Sequence, residues 1–307
     1  MMNITEGVNS FTLLGFPTSR PIQLLLFFIF FLTYFLTILE NLIVIFIIWN
    51  SPKLHKPMYF FLGQLSFIEM WYVTVTVPKL LSIFLSESGN ISFIACMAQL
   101  YFFLSLACTE CVLLTVMAFD RYVAICNPLR YIATMNWNFC HLLASVSWGG
   151  GFGISLIKVY YISRLTFCQP ALVNHFYCDI SPILNLACTD MRLAEFVDFI
   201  LALIILLIPL LLTIISYGCI VITVINIPSS TGRKKAFSTC ASHLVVVVIF
   251  YSTTLFMYAR PSRAESLSYN KLVLVVYTVV TPLINPMIYC LRNKEVKETL
   301  WKFFMKI

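Results

Sequence analysis

Three carboxylates, Glu40, Glu69 and Glu110, stand inside otherwise apolar stretches of the chain. A carboxylate in hydrocarbon costs at least about 2–3 kcal/mol and normally turns toward protein or water. Glu69 and Glu110 fall near the middle of their stretches, and two readings stay open for them. They share a proton or a cation, because two close carboxylates do not both ionise cheaply, or each is held neutral by hydrogen bonds to backbone or water. Glu40, next to Asn41, reads as a polar contact between helices. Asp120-Arg121 sets an acid beside a base at the end of an apolar run, either as a stop signal or as a lock that opens when a partner binds. His243 falls near the inner end of its span, far in depth from both mid-stretch carboxylates, and no HExxH spacing exists, so neither hydrolytic chemistry nor a resident cofactor or metal is expected.

The elements that carry these groups follow from composition. Of 307 residues 60% are hydrophobic and 11% charged, against roughly 25% charged in soluble domains. Too few charges exist to cover a water-exposed globule, and the hydrophobicity excludes disorder. A helical span needs about 20 apolar residues. Seven candidate spans result, at about 22–49, 58–83, 97–120, 139–161, 196–225, 237–259 and 271–291. The expected fold is an all-α membrane protein, one seven-transmembrane helix bundle over 1–307, with residues 1–21 on one side and 292–307 on the other.

Basic residues in short loops set orientation. With the N-terminus outside, the inner segments hold 12 basic and 3 acidic residues, and everything else holds 8 basic and 10 acidic. The tail is therefore expected in the cytoplasm, the net charge of +7 is a topology signal, and nucleic acid is not an expected partner. No cleavable leader is apparent in the first 21 residues, so the first span is expected to act as an uncleaved anchor. Asn3-Ile4-Thr5 is then an outer glycosylation sequon; Asn90-Ile91-Ser92, also outer, is disfavoured by its closeness to the third span. Cys96, Cys168, Cys178 and Cys188 fall on the oxidising side, where four cysteines allow three pairings and two disulfides would pin the loop from Ser163 to Arg192 as a lid. The other seven cysteines, Cys108-Thr109-Glu110-Cys111 included, read as small buried apolar residues.

Pro209, Pro282 and Pro286 each remove a helix hydrogen bond, which membrane helices tolerate where neighbours satisfy the freed carbonyls. Asn285 is placed to do so in the seventh span. Beyond it, Val296, Leu300, Phe303 and Phe304 share one face of a short amphipathic C-terminal helix suited to lie on membrane lipid at the inner leaflet.

Several motifs then stand in order. Pro57-Met58-Tyr59-Phe60-Phe61-Leu62 opens the second span, and Met117-Ala118-Phe119-Asp120-Arg121-Tyr122-Val123-Ala124-Ile125-Cys126 closes the third. Ser216-Tyr217 lies in the fifth, Lys235-Ala236-Phe237-Ser238-Thr239-Cys240 with Ser242-His243-Leu244 opens the sixth, and Pro282-Leu283-Ile284-Asn285-Pro286-Met287-Ile288-Tyr289 closes the seventh. Over nearly its whole length the chain resembles the olfactory receptors, a branch of the rhodopsin-like (class A) G-protein-coupled receptors. It departs from their pattern at Phe119, where Tyr is usual, at Glu69, where Asp is usual, and at Glu40, where Gly is common.

The resemblance implies roles. Cys96 would pair with Cys178 and Cys168 with Cys188, a Cys96–Cys188 pairing being the alternative. Asp120 and Arg121 would hold the resting state, and Arg121 would meet the G protein when the sixth helix moves outward. Tyr217 and Tyr289 would support the active arrangement, with Lys235 and His243 in the stretch lining the G-protein cavity and Asn285 and Pro286 in the seventh-helix switch. The implied partner is a heterotrimeric G protein with a stimulatory olfactory-type Gα, the output cyclic AMP, and the location the plasma membrane.

An odorant pocket would lie under the outer loop, bounded by Phe103, Leu104, Ala107, Cys108 and Cys111 on the third helix and Leu201, Ala202 and Ile205 on the fifth. Tyr251, Thr254, Leu255 and Tyr258 would follow on the sixth and Thr278 on the seventh. Phe103 stands where amine-binding relatives carry Asp, so with no charge read at this depth the expected ligand is a small, neutral, mostly apolar volatile, oriented by Tyr258, Thr254 or Thr278. A transporter or channel is disfavoured by the absence of an internal repeat or filter-like loop. A receptor of the same fold for a non-volatile metabolite outside the nose would share every one of these features.

Overall fold

Within hydrocarbon no water bonds the peptide groups, so long runs of Leu, Ile, Phe and Val close their hydrogen bonds internally as helix. The computed structural model describes residues 9–86, 88–258, 267–292 and 294–304; the side chains of 235, 238–239, 256–258, 267–270, 290–292, 294 and 303–304 are likewise outside the description. The long helices are α1 (Arg20–Asn50), α2 (Pro57–Ser86), α3 (Phe93–Cys126), α5 (Trp137–Ser163), α7 (Arg192–Ile225) and α8 (Ser230–Tyr258). A short α4 (Tyr131–Thr134) follows α3, and α6 (Ile180–Leu184) lies in the α5–α7 connection. The last long rod is α9 (Leu267–Val275) and α10 (Thr281–Arg292) joined through a π-helical turn, Val276–Val280, and α11 (Lys294–Phe304) ends the description.

Six of these rods, with Lys271–Tyr289 counted as one, are long and apolar enough to cross a membrane, and α8 carries a shorter apolar stretch, Cys240–Leu255. The result is a seven-helix bundle. Several helices outrun the spans read from charge: α3 starts at Phe93 and ends at Cys126, because a charged residue ends a hydrocarbon span without ending the helix that continues through the headgroups.

α3 is the axis of the bundle and is buried along most of its length, whereas α1 and α7 present Phe28, Trp49, Ile208 and Ile215 outward. Lipid contact explains such exposed apolar surface, which a water-soluble surface would not carry at this density. α3 and α5 approach closely: a Cβ on Gly151 would overlap the Thr109 side chain and the Ser105 carbonyl. Gly151→Val is therefore expected to cost more than the roughly 1–3 kcal/mol of ordinary overpacking and to remove nearly all receptor from the cell surface, read by flow cytometry on a tagged chain. Normal display would contradict this packing.

Two proline breaks are repaired by neighbours. Pro286 frees the Pro282 carbonyl, and it is Asn41 that donates to it at 3.3 Å. The expectation for Asn285 is corrected: its amide donates to Glu69 Oε1 instead, since the carboxylate is the stronger acceptor within reach. Pro209 frees the Ile205 carbonyl, which receives the Cys111 thiol at 3.0 Å.

At one end the bundle carries a cap. β1 (Ser10–Leu13) is the middle strand of a three-stranded sheet, antiparallel to β2 (Asn90–Ser92) with Ser10 opposite Ser92, and parallel to β3 (Leu172–Val173) with Thr12 opposite Leu172. Disulfides join Cys96 to Cys178 and Cys168 to Cys188. Gly15, at φ +57°, turns the chain so that its N–H donates to the His175 carbonyl and its own carbonyl accepts from Lys271 Nζ at 2.8 Å. Phe11 and Leu13 are fully buried in this cap. The sheet is an addition to the all-α expectation: four residues with apolar Phe11 and Leu13 in alternation are too short to register as a strand before their partners are known. Asn3 lies outside the described residues, and the Asn90 side chain accepts from Thr12 Oγ1 at 2.9 Å.

Candidate functional site

Beneath the cap lies a cavity of about 610 Å³, large enough for a small organic molecule. Its wall includes Phe103, Leu104, Ala107, Cys108 and Cys111 from α3, Ala202 and Ile205 from α7, and Thr254 and Leu255 from α8. Leu201 is not on the wall. Tyr251 stands behind it, its hydroxyl 3.4 Å from Cys111 Sγ, and Thr278 is fully buried with its hydroxyl donated to the Leu274 carbonyl at 2.7 Å. All three are corrections: helical period alone does not fix which side chains reach the wall and which stand beside or behind it. The Tyr258 side chain lies outside the described residues, and Thr254 reaches the wall with its hydroxyl donated to the Phe250 carbonyl at 2.7 Å.

The wall also holds residues that sequence reasoning missed. Tyr177 and Ile180 descend from the cap loop, Phe250 and Tyr277 come from the sixth and seventh helices, and α5 and α7 supply Lys158 and Asp198. Tyr177 packs on Phe103 with ring centroids 4.6 Å apart, so the loop is a working wall of the cavity. Lys158 and Asp198 form an ion pair at 2.8 Å, and Asp179 and Glu195 line the same side. The depth read as uncharged is therefore charged. The reading drew its wall from the third, fifth, sixth and seventh helices and passed over the fourth. Burial pushes the Asp179 carboxyl up to about 6, with Asp198 adding to the rise and the Ile180 N–H and Lys158 opposing it.

The cap itself titrates. Burial, with the Lys271 ammonium beside it, lowers His175 to about 3 from an ordinary 6.5. A base depressed in this way is neutral when folded, so its contribution to stability is full above pH 6.5 and is lost as pH falls from there toward 3. Thermal melting of detergent-solubilised receptor is expected to show a drop in midpoint between pH 6.5 and 4 that flattens in His175→Gln; an unchanged acid limb would count against the cap as the acid-sensitive part.

At mid-depth, Asn285 Nδ2 donates to Glu69 Oε1, and Glu110 is close enough to Glu69 for the two to interact electrostatically. Both carboxylates are buried, and among the described residues no third His, Cys, Asp or Glu joins them in a metal-holding group.

At the end away from the cap, Arg121 Nη2 and Nε donate to Asp120 Oδ2 at 2.7 and 3.1 Å, and the Tyr131 hydroxyl donates to Asp120 Oδ1 at 2.8 Å. Tyr217 and His243 meet at 2.6 Å through the hydroxyl and Nδ1, with their rings stacked. The Tyr289 hydroxyl is buried with no hydrogen-bond partner among the described residues, and the Lys235 side chain lies outside the description. α11 docks Val296 into the core, while Glu295 accepts from Lys56 Nζ at 2.7 Å and from the Tyr59 hydroxyl at 2.8 Å. The Lys56 ammonium holds the Glu295 carboxyl below the usual carboxylate range.

A capped cavity thus lies at one end of the seven-helix frame and the Asp120–Arg121 ion pair at the other. The profile of the olfactory receptor family matches residues 30–307. Human olfactory receptor 6P1 is 56% identical over 306 residues, covering 99% of this chain and 96% of that protein. Mouse olfactory receptor 6B9 is 58% identical over 98% of this chain and 95% of its own length, and rat olfactory receptor 226 is 57% identical over 97% and 92%. The chain belongs to the olfactory receptor family. As an olfactory receptor it is a class A G-protein-coupled receptor and not an enzyme, a multi-pass protein of the plasma membrane whose partners are odorants and G proteins.

Proposed function

We propose that this receptor binds a small, neutral, mostly apolar volatile in the cavity beneath the cap and activates a stimulatory olfactory-type G protein, raising cyclic AMP. The observation that carries the reading is the cavity, its wall mostly aliphatic and aromatic and its roof made by the disulfide-tied loop. A carboxylic acid would face Asp179, Glu195 and Asp198, a penalty that a neutral ligand does not meet.

The orientation proposed places the cap and residues 1–21 outside the cell and the Asp120-Arg121 end with residues 292–307 in the cytoplasm, in keeping with the excess of basic residues there. Asp120 and Arg121 hold the resting state, and Tyr217, His243, Asn285, Pro286 and Tyr289 rearrange as α8 moves outward to admit Gα, with Lys235 at that opening. Glu69 and Glu110 share a proton or a cation in the resting core. α11 lies on the inner leaflet, its exposed Trp301 and Lys302 toward lipid and headgroups.

Ligand acts by population shift: it favours the active arrangement only as far as it binds that arrangement better. Cells expressing the receptor with olfactory Gα are expected to raise cyclic AMP for members of a neutral volatile panel and for none of a charged metabolite panel. A response confined to charged metabolites, with surface display demonstrated, would overturn the ligand class.

A further inference from the structure

A ligand beneath a closed cap has to get past it, and the cap is tied down unequally around its rim. On the α3 side the tie is covalent, the Cys96–Cys178 bond. On the α9 side it is an ammonium: Lys271 Nζ donates to the Gly15 carbonyl at 2.8 Å and to Asn174 Oδ1 at 2.7 Å, and lies 6.0 Å from the centre of the Phe16 ring. The two acceptors belong to one unit. The Leu14 N–H donates to the Val173 carbonyl and the Gly15 N–H to the His175 carbonyl, each at 3.0 Å, and Phe16 stacks on Phe176. Lys271 thus fastens an N-terminal strap and the cap loop, already bound to each other, to the seventh helix. The seam it crosses leads to the cavity: Leu274 and Tyr277 line the wall on the helix side, and Tyr177, three residues after Asn174, lines it on the cap side. Lys271 itself stands outside the wall.

For a charge this is a costly fastening. Lys271 is 7% exposed, and among the described residues no carboxylate pairs with it. An ammonium buried on neutral oxygens recovers only part of its lost hydration. Water reaching Nζ in an opened cap restores the rest, which narrows the free-energy gap between closed and open. We propose that Lys271 is a latch, and that its release opens the passage by which ligand enters and leaves the cavity. The latch rests on the odorant reading above, which makes the cavity the ligand site, and adds the entrance to it. Lys271 is a positioning residue: it touches no ligand and sets how often the strap and cap loop lift from the seventh helix.

The Cys108 thiol, free and in the cavity wall, reports passage without any ligand. Methyl methanethiosulfonate, a small neutral reagent, transfers its methylthio group to a thiol sulfur as a mixed disulfide; methanesulfinate leaves and the thiol proton goes to buffer. The test follows this labelling by peptide mass spectrometry on full-length receptor in membranes. Where the cap closes faster than the reagent reacts, the rate follows the open fraction. Lys271→Met is expected to speed Cys108 labelling roughly 10- to 100-fold, the range for losing hydrogen bonds from a charged group. Cys240, one turn before His243 at the other end of the bundle, should keep its wild-type rate, whereas a general loosening of the fold would speed both. Asn174→Asp gives the ammonium a charged partner and is expected to slow Cys108 several-fold. If Lys271→Met fails to reach the surface, Asn174→Leu removes one acceptor, leaves the lysine, and is expected to speed Cys108 by a smaller factor. Equal Cys108 rates in wild type and displayed variants, or a Cys240 rate that rises in step, overturn the latch and leave the odorant reading standing. Latch-dependent labelling in a displayed wild type that answers no neutral volatile keeps the latch and withdraws the odorant reading.

Discussion

Arg121→Ala is expected to reach the cell surface at near-normal levels and to give no cyclic AMP response above background to any ligand that activates the wild type. Arg121 is 9% exposed and its guanidinium is held by Asp120 through two hydrogen bonds, while Tyr131 fixes the other oxygen of that carboxylate. The group is thus stored, aimed sideways, at the end of the central helix. Its removal leaves the buried Asp120 carboxylate one partner, the Tyr131 hydroxyl. Coupling has no substitute for the guanidinium, because nothing else described on α3 at that end presents a rigid, permanently charged donor fork. Tyr131→Phe separates storage from signalling: it loosens the lock without touching the arginine and is expected to raise ligand-independent cyclic AMP a few-fold. Surface labelling alongside the cyclic AMP assay checks both variants. Wild-type responses from displayed Arg121→Ala would remove Arg121 from the mechanism, and a Tyr131→Phe receptor with unchanged basal output would remove Tyr131 from the lock.

How much of this was legible before the fold is instructive by residue. The long rods were, since apolar length is a one-dimensional signal and a membrane leaves no other structure to choose. Phe103, Leu104, Ala107, Cys108 and Cys111 reach the cavity wall because a helix this buried has few ways to face. Lys158 was hidden by its type. A lysine near a span end ordinarily extends to water, and only the position of Asp198 on another helix, 40 residues on, turns it inward. Asn41 was hidden likewise: its role in capping the carbonyl freed by Pro286 depends on where α1 crosses α10. β1 was illegible because its partners, at Asn90–Ser92 and Leu172–Val173, are set by tertiary closure. Local pattern thus reaches elements and faces, whereas pairings across the bundle belong to the packing.

Cys178→Ser is the second large effect expected, with surface receptor near background and no signalling from what remains. The Cys96–Cys178 bond closes a sequence separation of 82 residues, and Cys168–Cys188 closes one of 20. On the chain-entropy account these correspond to about 4.5 and about 3.3 kcal/mol, so the ordering is clear although the gap is modest. Geometry widens the gap. The Cys178 N–H donates to Gln99 Oε1 at 2.9 Å, and Gln99 Nε2 donates to the Val75 carbonyl at 2.8 Å, so the bond sits in a short network that fixes the loop to α3 and α2. The residue before it, Tyr177, packs on Phe103, and the one after it, Asp179, opens α6; both line the cavity. Losing the bond therefore loosens a wall of the binding site as well as the cap. Cys168–Cys188 clamps the far part of the loop, where Phe167 bridges to Ala187, and no cavity residue adjoins it. Cys168→Ser with Cys188→Ser is accordingly expected to retain partial display and a response with a raised half-maximal concentration. Quantifying surface receptor and dose–response curves for the two pairs side by side decides it. If losing Cys168–Cys188 proved the more damaging, the loop would be held chiefly by its own clamp, and its anchor on α3 would be secondary.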